Sequence, residues 1–305
     1  MPTVRVNGID MWYERSGGAG PLLVLTHGFA GPGWPPIIDG FRAHFDLLVY
    51  DVRAHGKTTG SDDPAAVTMP QFAADLAALL DALGIERGHI GGVSMGGMVS
   101  AQFACDYPER LRSLVLCDTL AGNAPLRPPS APTASAVADD VERQVAEVFE
   151  RLPRIVEKYG LEGLVERENR YRRDGSDPYA HLSAMTLDEQ DTKNASQKVE
   201  QMTVAGYVAA ARAVRERPDL TARTPKITAP TLVSCGEWDL FYPCALRDHA
   251  LIPSSRLVTI RGAAHSTPDY QPQLWKRAVF DFIADVEAGR DVAGEFELTS
   301  DGAAR

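Results

Sequence analysis

The sequence has 305 residues, of which 44% are hydrophobic and 24% charged, and its formal net charge is −10. This composition is typical of a globular protein and unlike that of a disordered or fibrous chain. The negative charge and the lack of basic runs argue against nucleic acid as a partner, because phosphate binding depends on clustered Lys and Arg. Neither a signal peptide nor a stretch of roughly 20 apolar residues is visible, so a cytoplasmic protein without a membrane partner is expected.

The first part of the sequence alternates predicted strands with predicted helices. Asn7-Gly8, flanked by alternating polar and apolar residues, predicts a β-hairpin of strands 3–6 and 11–16. Continuous apolar runs at 22–26 and 47–50 are typical of strands that are buried on both faces of a sheet. The pattern then predicts, in chain order, a helix at 69–83 capped by Thr68, a strand at 88–93, a helix at 95–107 and a strand at 113–117.

The middle of the sequence loses the strand pattern. A Pro-rich stretch at 123–132 predicts an irregular linker, and the residues from 136 to about 218 have a helical pattern throughout. The helices expected in this part are 137–150, 152–170, 179–190 and 196–216. Strands resume at 231–235 and 256–260, and a last helix is expected at about 271–288.

Strands that alternate with helices imply an α/β fold with a mostly parallel, doubly wound sheet. The helical middle interrupts this alternation, and we interpret it as an α-helical cap inserted into the core. The predicted division is a core in two parts, 1–121 and 223–288, with the cap at 122–222. The polar residues 289–305 are expected to form a flexible tail.

The pentapeptide at 92–96, Gly-Val-Ser-Met-Gly, lies between a predicted strand and a predicted helix. A GxSxG match alone is a weak signal, but this strand–turn–helix setting is the one that a nucleophilic serine on a sharp turn requires. The glycines are needed because side chains two residues to either side of the serine would clash with a strained turn. Ser94 is therefore the predicted nucleophile.

A serine hydroxyl needs a base to become a nucleophile and a third group to orient that base. Where the serine sits on such a turn, the order along the chain is Ser, acid, His. Asp239 and His265 each follow a predicted strand of the second core part, so both are expected where the carboxyl ends of parallel strands gather. Glu237 and Asp118 compete for the role of the acid, and order and position favour Asp239.

The loop after the first buried strand, Thr-His-Gly-Phe at 26–29, is expected to contribute to an oxyanion hole. The backbone N–H groups of Phe29 and Met95 can together stabilise the charge of a tetrahedral intermediate. We interpret His27 as a residue that fixes this loop. His55 is interpreted as packing beneath the site, because the predicted triad already contains its base.

These segments resemble the α/β-hydrolase superfamily, in particular the subgroup of 3-oxoadipate enol-lactonases, cofactor-free haloperoxidases and small esterases. The matching segments are 27–29, 51–58, 92–97, 236–239 and 262–265. The family usually has Gly where this sequence has Ala54, often Ser in place of Thr58, and frequently Gly in place of Ala263. The resemblance implies the α/β-hydrolase fold and a serine hydrolase, but the predicted cap matches no particular member, so no substrate is implied.

A serine nucleophile predicts acyl transfer, and the expected reaction is cleavage of a small carboxylic ester or lactone through an acyl-enzyme. Hydrolysis of a carbon–carbon bond in a diketone-like substrate, perhydrolysis, and a catalytically silent ligand-binding protein remain alternatives. The candidate pocket residues are Trp34, Met185, Met202, Phe241 and Tyr242. Four cysteines without CxxC or His-rich spacing give no reason to expect a metal, and no cofactor is expected. The expected partner is a small-molecule substrate, and a homo-oligomer is left open.

Overall fold

The computed structural model describes residues 2–31, 34, 38–60, 63–128, 134–174 and 201–300, with the backbone alone at 168, 169 and 171–174. Within these residues the centre of the molecule is a nine-stranded sheet. Its strands are β1 (Thr3–Val6), β2 (Ile9–Arg15), β3 (Leu22–Thr26), β4 (Asp46–Tyr50), β5 (Gly88–Val93), β6 (Leu111–Cys117), β7 (Thr231–Gly236), β8 (Ser255–Ile260) and β9 (Gly294–Leu298).

The strands lie in the order β1-β2-β4-β3-β5-β6-β7-β8-β9. β1 and β2 pair antiparallel through the turn at Asn7 and Gly8, which have φ angles of 44° and 79°, as a two-residue hairpin turn requires. β2 pairs antiparallel with β4, and every later pair from β3 to β9 is parallel. The prediction of an α/β sheet that begins antiparallel and continues parallel is therefore confirmed.

The helices are α1 (Asp39–Arg42), α2 (Met69–Ala82), α3 (Met95–Asp106), α4 (Ala136–Asp174), α5 (Val204–Arg215), α6 (Tyr242–Leu251), α7 (Thr267–Tyr270) and α8 (Pro272–Glu287). Helix α2 begins where the sequence predicts, because the Thr68 side chain accepts a hydrogen bond from the Gln71 backbone N–H. Within the described part of the chain, no helix combines the length and the apolar character needed to cross a bilayer.

Alternate residues of the central strands face two separate hydrophobic cores. Val24 and Ile90 pack with α2 and α3 on one face of the sheet. Leu23 and Val115 pack with α1 and α8 on the other face. Because successive side chains of a strand point to opposite faces, a sheet covered by helices on both sides needs apolar residues at nearly every position of its central strands. This requirement explains the continuous apolar runs in the sequence.

The helical part between β6 and β7 differs from the prediction in two places. The interruption expected near residue 151 lies instead at Gly160, where φ is 71° and ψ is 178°, and Pro153 stands inside the helical segment α4. Helix α5 begins at Val204 rather than near 196, because the Thr203 side chain caps it by accepting a hydrogen bond from the Gly206 N–H at 3.0 Å. The helix expected at 179–190 lies outside the described residues. We refer to residues 122–222 as the helical insertion, and its boundaries stay a prediction.

The predicted flexible tail contains a strand. β9 pairs in parallel with β8 in register from Arg256 and Gly294 to Ile260 and Leu298, so the expectation of a flexible segment is wrong for these residues. The Arg256 guanidinium lies 5.0 Å from the centre of the Phe296 ring, a cation–π contact that holds the strand to its neighbour. Because β9 contains two glutamates, its composition is polar and does not predict a strand.

Buried ion pairs attach the helical insertion to the core. Arg127 contacts Asp139, Glu142 and Asp219, so it joins the two ends of the insertion. Glu142 also contacts Arg247 on α6, a core helix, and both of these side chains are almost completely buried. Buried charges are tolerated only when they are paired and hydrogen-bonded, so this network determines how the insertion leaves and rejoins the core.

Replacing Arg247 by Met is expected to lower the free energy of unfolding by about 3 kcal/mol, because the buried Glu142 carboxylate loses a charged partner. The matched control is Arg154→Met, which breaks the exposed pair with Glu150 and should change stability by about 0.5 kcal/mol or less. Urea unfolding followed by circular dichroism measures both. Equal effects of the two substitutions would show that the network does not hold the insertion.

Candidate active site

Ser94 lies on the turn between β5 and α3 with φ 54° and ψ −119°, a strained conformation for a residue with a side chain. The backbone packs closely around this turn. A Cβ at Gly92 would lie 2.4 Å from the Gly96 carbonyl carbon, and a Cβ at Gly96 would lie 2.0 Å from the Thr26 carbonyl oxygen. The Thr119 hydroxyl donates a hydrogen bond to the Ser94 carbonyl at 2.7 Å. Both glycines of the pentapeptide are therefore sterically required.

A chain of hydrogen bonds connects Ser94, His265 and Asp239. The Ser94 Oγ lies 3.0 Å from the His265 Nε2. The His265 Nδ1 donates to the Asp239 carboxylate, whose oxygens lie 3.1 and 3.0 Å away. The Asp239 Oδ1 also accepts a hydrogen bond from the Phe241 backbone N–H at 2.9 Å, which fixes the orientation of the carboxylate. The structure thus brings together the three residues that the sequence predicts as nucleophile, base and acid.

The three side chains come from loops at the carboxyl ends of neighbouring parallel strands. Ser94 follows β5, Asp239 follows β7 and His265 follows β8. β7 and β8 pair directly, whereas β6 separates β5 from β7. Because the carboxyl ends of parallel strands lie at one edge of a sheet, residues 171 positions apart in the sequence, Ser94 and His265, come within hydrogen-bond distance.

The charges of the site favour a protonated histidine. Desolvation disfavours the imidazolium of His265, but the charge of Asp239 and its hydrogen bond outweigh this effect and raise the pKa of His265 to about 9. Desolvation likewise disfavours the Asp239 carboxylate, and the facing His265 reverses this effect, so the pKa of Asp239 lies below its usual value. The pair therefore favours a hydrogen bond between the His265 imidazolium and the Asp239 carboxylate.

The two competing acids have other partners. Glu237 pairs with Arg261 and accepts a hydrogen bond from the Gly262 N–H at 3.2 Å. Asp118 is fully buried and accepts hydrogen bonds from the backbone N–H groups of Gly236 and Thr267. Neither carboxylate forms a hydrogen bond with His265 in the described structure, so Asp239 is the acid that faces the histidine.

The loop after β3 lies beside Ser94. The His27 Nδ1 donates to the Gly28 carbonyl at 2.8 Å, and its Nε2 accepts a hydrogen bond from the Val52 N–H at 3.0 Å, so the ring fixes this loop as expected. A Cβ at Gly28 would lie 3.6 Å from the Ser94 Cβ. Within the described residues, the backbone N–H groups of Phe29 and Met95 donate to no other group. One donor in the loop after β3 and one at the Ser94 turn thus have no hydrogen-bond partner in the described structure.

His55 lies beneath this loop and is fully buried. Its Nδ1 donates to the Arg53 carbonyl at 3.0 Å, and its ring packs edge-on against Phe29 and Phe72. Burial lowers the pKa of His55 to about 4, so the ring stays neutral. These contacts agree with a packing role rather than with a second base.

Comparison with known proteins identifies the family. A family model described as the alpha/beta hydrolase fold matches residues 21–272. The chain belongs to this family. The resemblance seen in the motifs is therefore confirmed, and the chain is a hydrolase of the α/β type. It is 27% identical over 274 residues to a Bacillus subtilis (strain 168) protein provisionally named 2-succinyl-6-hydroxy-2,4-cyclohexadiene-1-carboxylate synthase, covering 88% of this chain and 92% of that protein.

Two solved structures of α/β hydrolases are similar over nearly the whole chain. An esterase from Thermogutta terrifontis is 28% identical, with a TM-score of 0.71, and the match covers 93% of this chain and 97% of that chain. The enol-lactonase from Burkholderia xenovorans LB400 is 23% identical, with a TM-score of 0.72, and the match covers 93% and 100%. The likeness to the lactonase supports the fold alone, because the identity is low.

The candidate pocket residues of this α/β hydrolase lie in different places. Phe241 packs its ring edge-on against His265 at 4.9 Å and so contacts the site. Trp34 stacks on Trp275 of α8, and the Tyr242 hydroxyl lies 3.0 Å from the Thr259 hydroxyl. Met202 is buried in an apolar cluster that joins the helical insertion to Ala30 in the loop after β3. Met185 lies outside the described residues. Of the described candidates, Phe241 and Tyr242 contact the hydrogen-bonded chain, the latter through its backbone N–H, which donates to the Asp239 carbonyl at 3.0 Å.

Two aromatic residues of the helical insertion contact the loop after β3 and were not predicted. The Phe29 ring packs edge-on against Phe149 of α4 and Tyr207 of α5, each at 4.9 Å between ring centres. Aromatic residues in an amphipathic helix are usually core residues, so the sequence pattern of α4 and α5 contains no signal for this contact. The insertion therefore packs directly on a predicted oxyanion residue.

One group of buried side chains in the described part of the chain has the composition of a metal site. Ligand atoms of Asp118, Cys235 and Asp239 lie within 4.8 Å of one another. Asp239 is engaged by His265, and desolvation and the neighbouring carboxylates raise the pKa of Cys235 well above its usual value, which keeps the thiol protonated. The Cys235 thiol donates a hydrogen bond to the Asp239 Oδ2 at 3.6 Å, so we interpret the group as part of the hydrogen-bonded site.

Replacing Gly96 by Ala is expected to lower the free energy of unfolding by at least about 2 kcal/mol, because the new methyl group would overlap the Thr26 carbonyl. Gly60→Ala is the matched control, since its Cβ would lie 3.8 Å from the Ala54 Cβ, and its effect should stay within about 0.5 kcal/mol. Thermal and urea unfolding compare the two variants. A Gly96→Ala protein as stable as the control would refute the close packing described for the turn.

Proposed function

We propose that the protein hydrolyses a small carboxylic ester or lactone through an acyl-enzyme on Ser94. The observation that carries the proposal is the unbroken hydrogen-bond chain from the Ser94 Oγ through His265 to Asp239. In the proposed mechanism Ser94 is the nucleophile, His265 is the general base and acid, and Asp239 orients the imidazole. The strained backbone of Ser94 supports the same role, since such strain persists where function requires it.

In the first half of the reaction, His265 accepts the Ser94 proton while the Ser94 Oγ attacks the substrate carbonyl carbon. The carbonyl oxygen becomes an oxyanion, which accepts hydrogen bonds from the Phe29 and Met95 backbone N–H groups. Collapse of this intermediate breaks the carbon–oxygen bond, and His265 protonates the departing alkoxide. The products of this half are an alcohol and an acyl ester of Ser94.

In the second half, His265 takes a proton from water, and the hydroxide oxygen attacks the acyl carbon. The second oxyanion uses the same two N–H groups, and its collapse returns the proton to the Ser94 Oγ and releases the acid. For a lactone both functional groups remain in one product molecule. Asp239 stabilises the imidazolium in both halves, as the raised pKa of His265 indicates.

The substrate class is supported by the names of similar proteins. The Thermogutta terrifontis relative is named as an esterase, whereas the Burkholderia xenovorans enol-lactonase is similar in fold alone. The Bacillus subtilis relative is named as a synthase rather than a hydrolase, so reactions differ among the similar proteins. A panel of short and long p-nitrophenyl esters, lactones and diketones distinguishes ester or lactone cleavage from carbon–carbon bond hydrolysis.

Ser94→Ala is expected to abolish labelling by a fluorophosphonate and to reduce p-nitrophenyl acetate turnover by at least about 10⁴-fold, because the nucleophile is lost. Ser254→Ala, which changes a serine in the turn before β8, is the control and should behave as the wild type. Gel fluorescence and release of p-nitrophenol measure the two effects. Labelling that persists in Ser94→Ala, or a wild type that neither labels nor turns over any ester of the panel, would exclude the proposed mechanism.

The acidic limb of kcat/KM against pH is expected to report His265, because only the neutral imidazole accepts the Ser94 proton. With a pKa of about 9 for this group, activity should still rise between pH 7 and 9. Asp239→Asn removes the charge that stabilises the imidazolium, so the pKa of His265 falls and the limb moves to lower pH, while kcat drops by roughly 10⁴-fold.

The control for this pH profile is Glu237→Gln, which removes a nearby charge that pairs with Arg261 and not with His265. We expect the limb of this variant to stay where it is in the wild type. A limb that moves equally in both variants would mean that the general negative charge of the loop, rather than the Asp239 hydrogen bond, determines the pKa of His265.

A further inference from the structure

Asp118 is a buried carboxylate that the proposed mechanism does not use. It follows β6, the strand between those that carry Ser94 and Asp239, and its backbone has a φ of 46°. Its side chain is 0% exposed, which is rare for an aspartate without a cationic partner. No Lys or Arg side chain of the described structure pairs with Asp118, whose carboxylate accepts several hydrogen bonds.

One of these hydrogen bonds comes from the neighbouring Cys117 thiol at 3.4 Å, and the others come from the segments that carry the acid and the base. The Asp118 Oδ1 accepts from the Gly236 N–H at 3.1 Å, and Gly236 is the last residue of β7, directly before the loop that contains Asp239. The Asp118 Oδ2 accepts from the Thr267 N–H at 2.6 Å and from the Thr267 hydroxyl at 2.9 Å. Thr267 lies two residues after His265. One carboxylate therefore joins the loop of the acid to the loop of the base.

The backbone next to Thr267 is strained and close to the other loop. Ser266 adopts the left-handed conformation with φ 68° and ψ 54°, which residues other than glycine avoid. A Cβ at Gly236 would lie 2.6 Å from the carbonyl oxygens of both Ala263 and Ala264, so the two loops touch without room for a side chain. A strained conformation of this kind persists only when the surrounding structure stabilises it. The two hydrogen bonds from Thr267, the next residue, to Asp118 stabilise the backbone at this point.

Several titratable groups face Asp118 from the elements around it. They are Asp239 and Cys235 from β7 and its loop, His265 from the loop after β8, and Cys117 from β6 itself. Desolvation and the charge of Asp239 raise the pKa of Asp118 to about 7, while His265 and the Thr267 hydrogen bonds oppose this increase. In turn the charge of Asp118 contributes to the raised pKa of His265, after the larger contribution of Asp239.

We propose that Asp118 is a positioning residue that ties the Asp239 loop to the His265 loop and thereby fixes the imidazole against the Ser94 hydroxyl. The inference rests on the proposed function, because the imidazole acts there as the base. In the described structure, Asp118 forms no hydrogen bond with the Ser94 Oγ or with a ring nitrogen of His265. It therefore acts on the imidazole through the two loops and through its charge.

The first test replaces Asp118 by Asn. The amide oxygen can still accept from Thr267, but the amide NH₂ would face the Gly236 N–H, so the link to one loop is lost. We expect kcat to fall by about 10- to 100-fold while KM changes by less than about twofold, because the reacting groups are misplaced and substrate binding is not. Loss of the charge should also move the acidic limb to lower pH, by roughly one unit.

A second pair of variants remains informative if Asp118→Asn does not fold. Thr267→Val removes the hydroxyl donor and keeps the shape, whereas Thr267→Ser keeps the donor. We expect Thr267→Val to lower kcat and Thr267→Ser to retain it. The control for general loss of packing is Ser113→Ala, which removes a buried hydrogen bond to His89 elsewhere on β6 and should leave kcat and the pH profile unchanged.

An NMR titration of the His265 Cε1–H signal measures the pKa of this residue without substrate. It should titrate at lower pH in Asp118→Asn than in the wild type. Labelling of the wild type by fluorophosphonate would support the proposed function. If Asp118→Asn and Thr267→Val then keep the wild-type kcat and an unchanged His265 titration, the positioning role is refuted and the proposed function stands. If the wild type shows neither labelling nor ester turnover, the proposed function falls and the catalytic role of Asp118 falls with it.

Discussion

The close contact between the backbone of β3 and the turn at Ser94 is the constraint on which the site depends. A Cβ at Gly92 would lie 2.7 Å, and one at Gly96 2.0 Å, from the same carbonyl oxygen, that of Thr26. Only hydrogen fits at both positions, so the end of β3 and the start of α3 lie in contact. The loop that leaves β3 is then held beside Ser94. The unused N–H groups of Phe29 and Met95 therefore come from two segments that this contact keeps together.

The order of the strands explains how the remaining residues reach the same place. β5, β6, β7 and β8 are consecutive neighbours and parallel, and their carboxyl ends are followed by Ser94, Asp118, Asp239 and His265 in that order. The helical insertion lies in the connection from β6 to β7, yet it leaves the pairing of these strands intact, from Leu114 with Thr231 to Cys117 with Ser234. A large insertion is tolerated there because it lies in the crossover from the carboxyl end of β6 to the amino end of β7 and takes no part in the hydrogen-bond ladder.

The sequence predicts the parts of the molecule whose physical signal is local. Strands buried on both faces are apolar throughout, and Ser94, Asp239 and His265 follow from a steric motif and from chain order. Helix α6 was not predicted because its buried residues include Arg247 and Asp248, which break the apolar period by which a helix is found. The two glutamates of β9 make this segment polar, so its composition predicts a tail and not a strand. The role of Asp118 depends on backbone N–H groups of distant loops, and a sequence pattern does not contain such partners.

The helical insertion and the chemistry of the site are physically coupled through Phe29. Its backbone is a predicted oxyanion donor, and its ring packs against Phe149 of α4 and Tyr207 of α5. Each such aromatic pair contributes about 0.5 to 1.5 kcal/mol beyond the burial of apolar area, so a shift of either helix strains the loop that carries the donor. The buried pairs of Arg127 hold the two ends of the insertion in place. Because the insertion packs on the loop that carries this predicted donor, changes in the packing of the insertion should alter the rate of the proposed reaction.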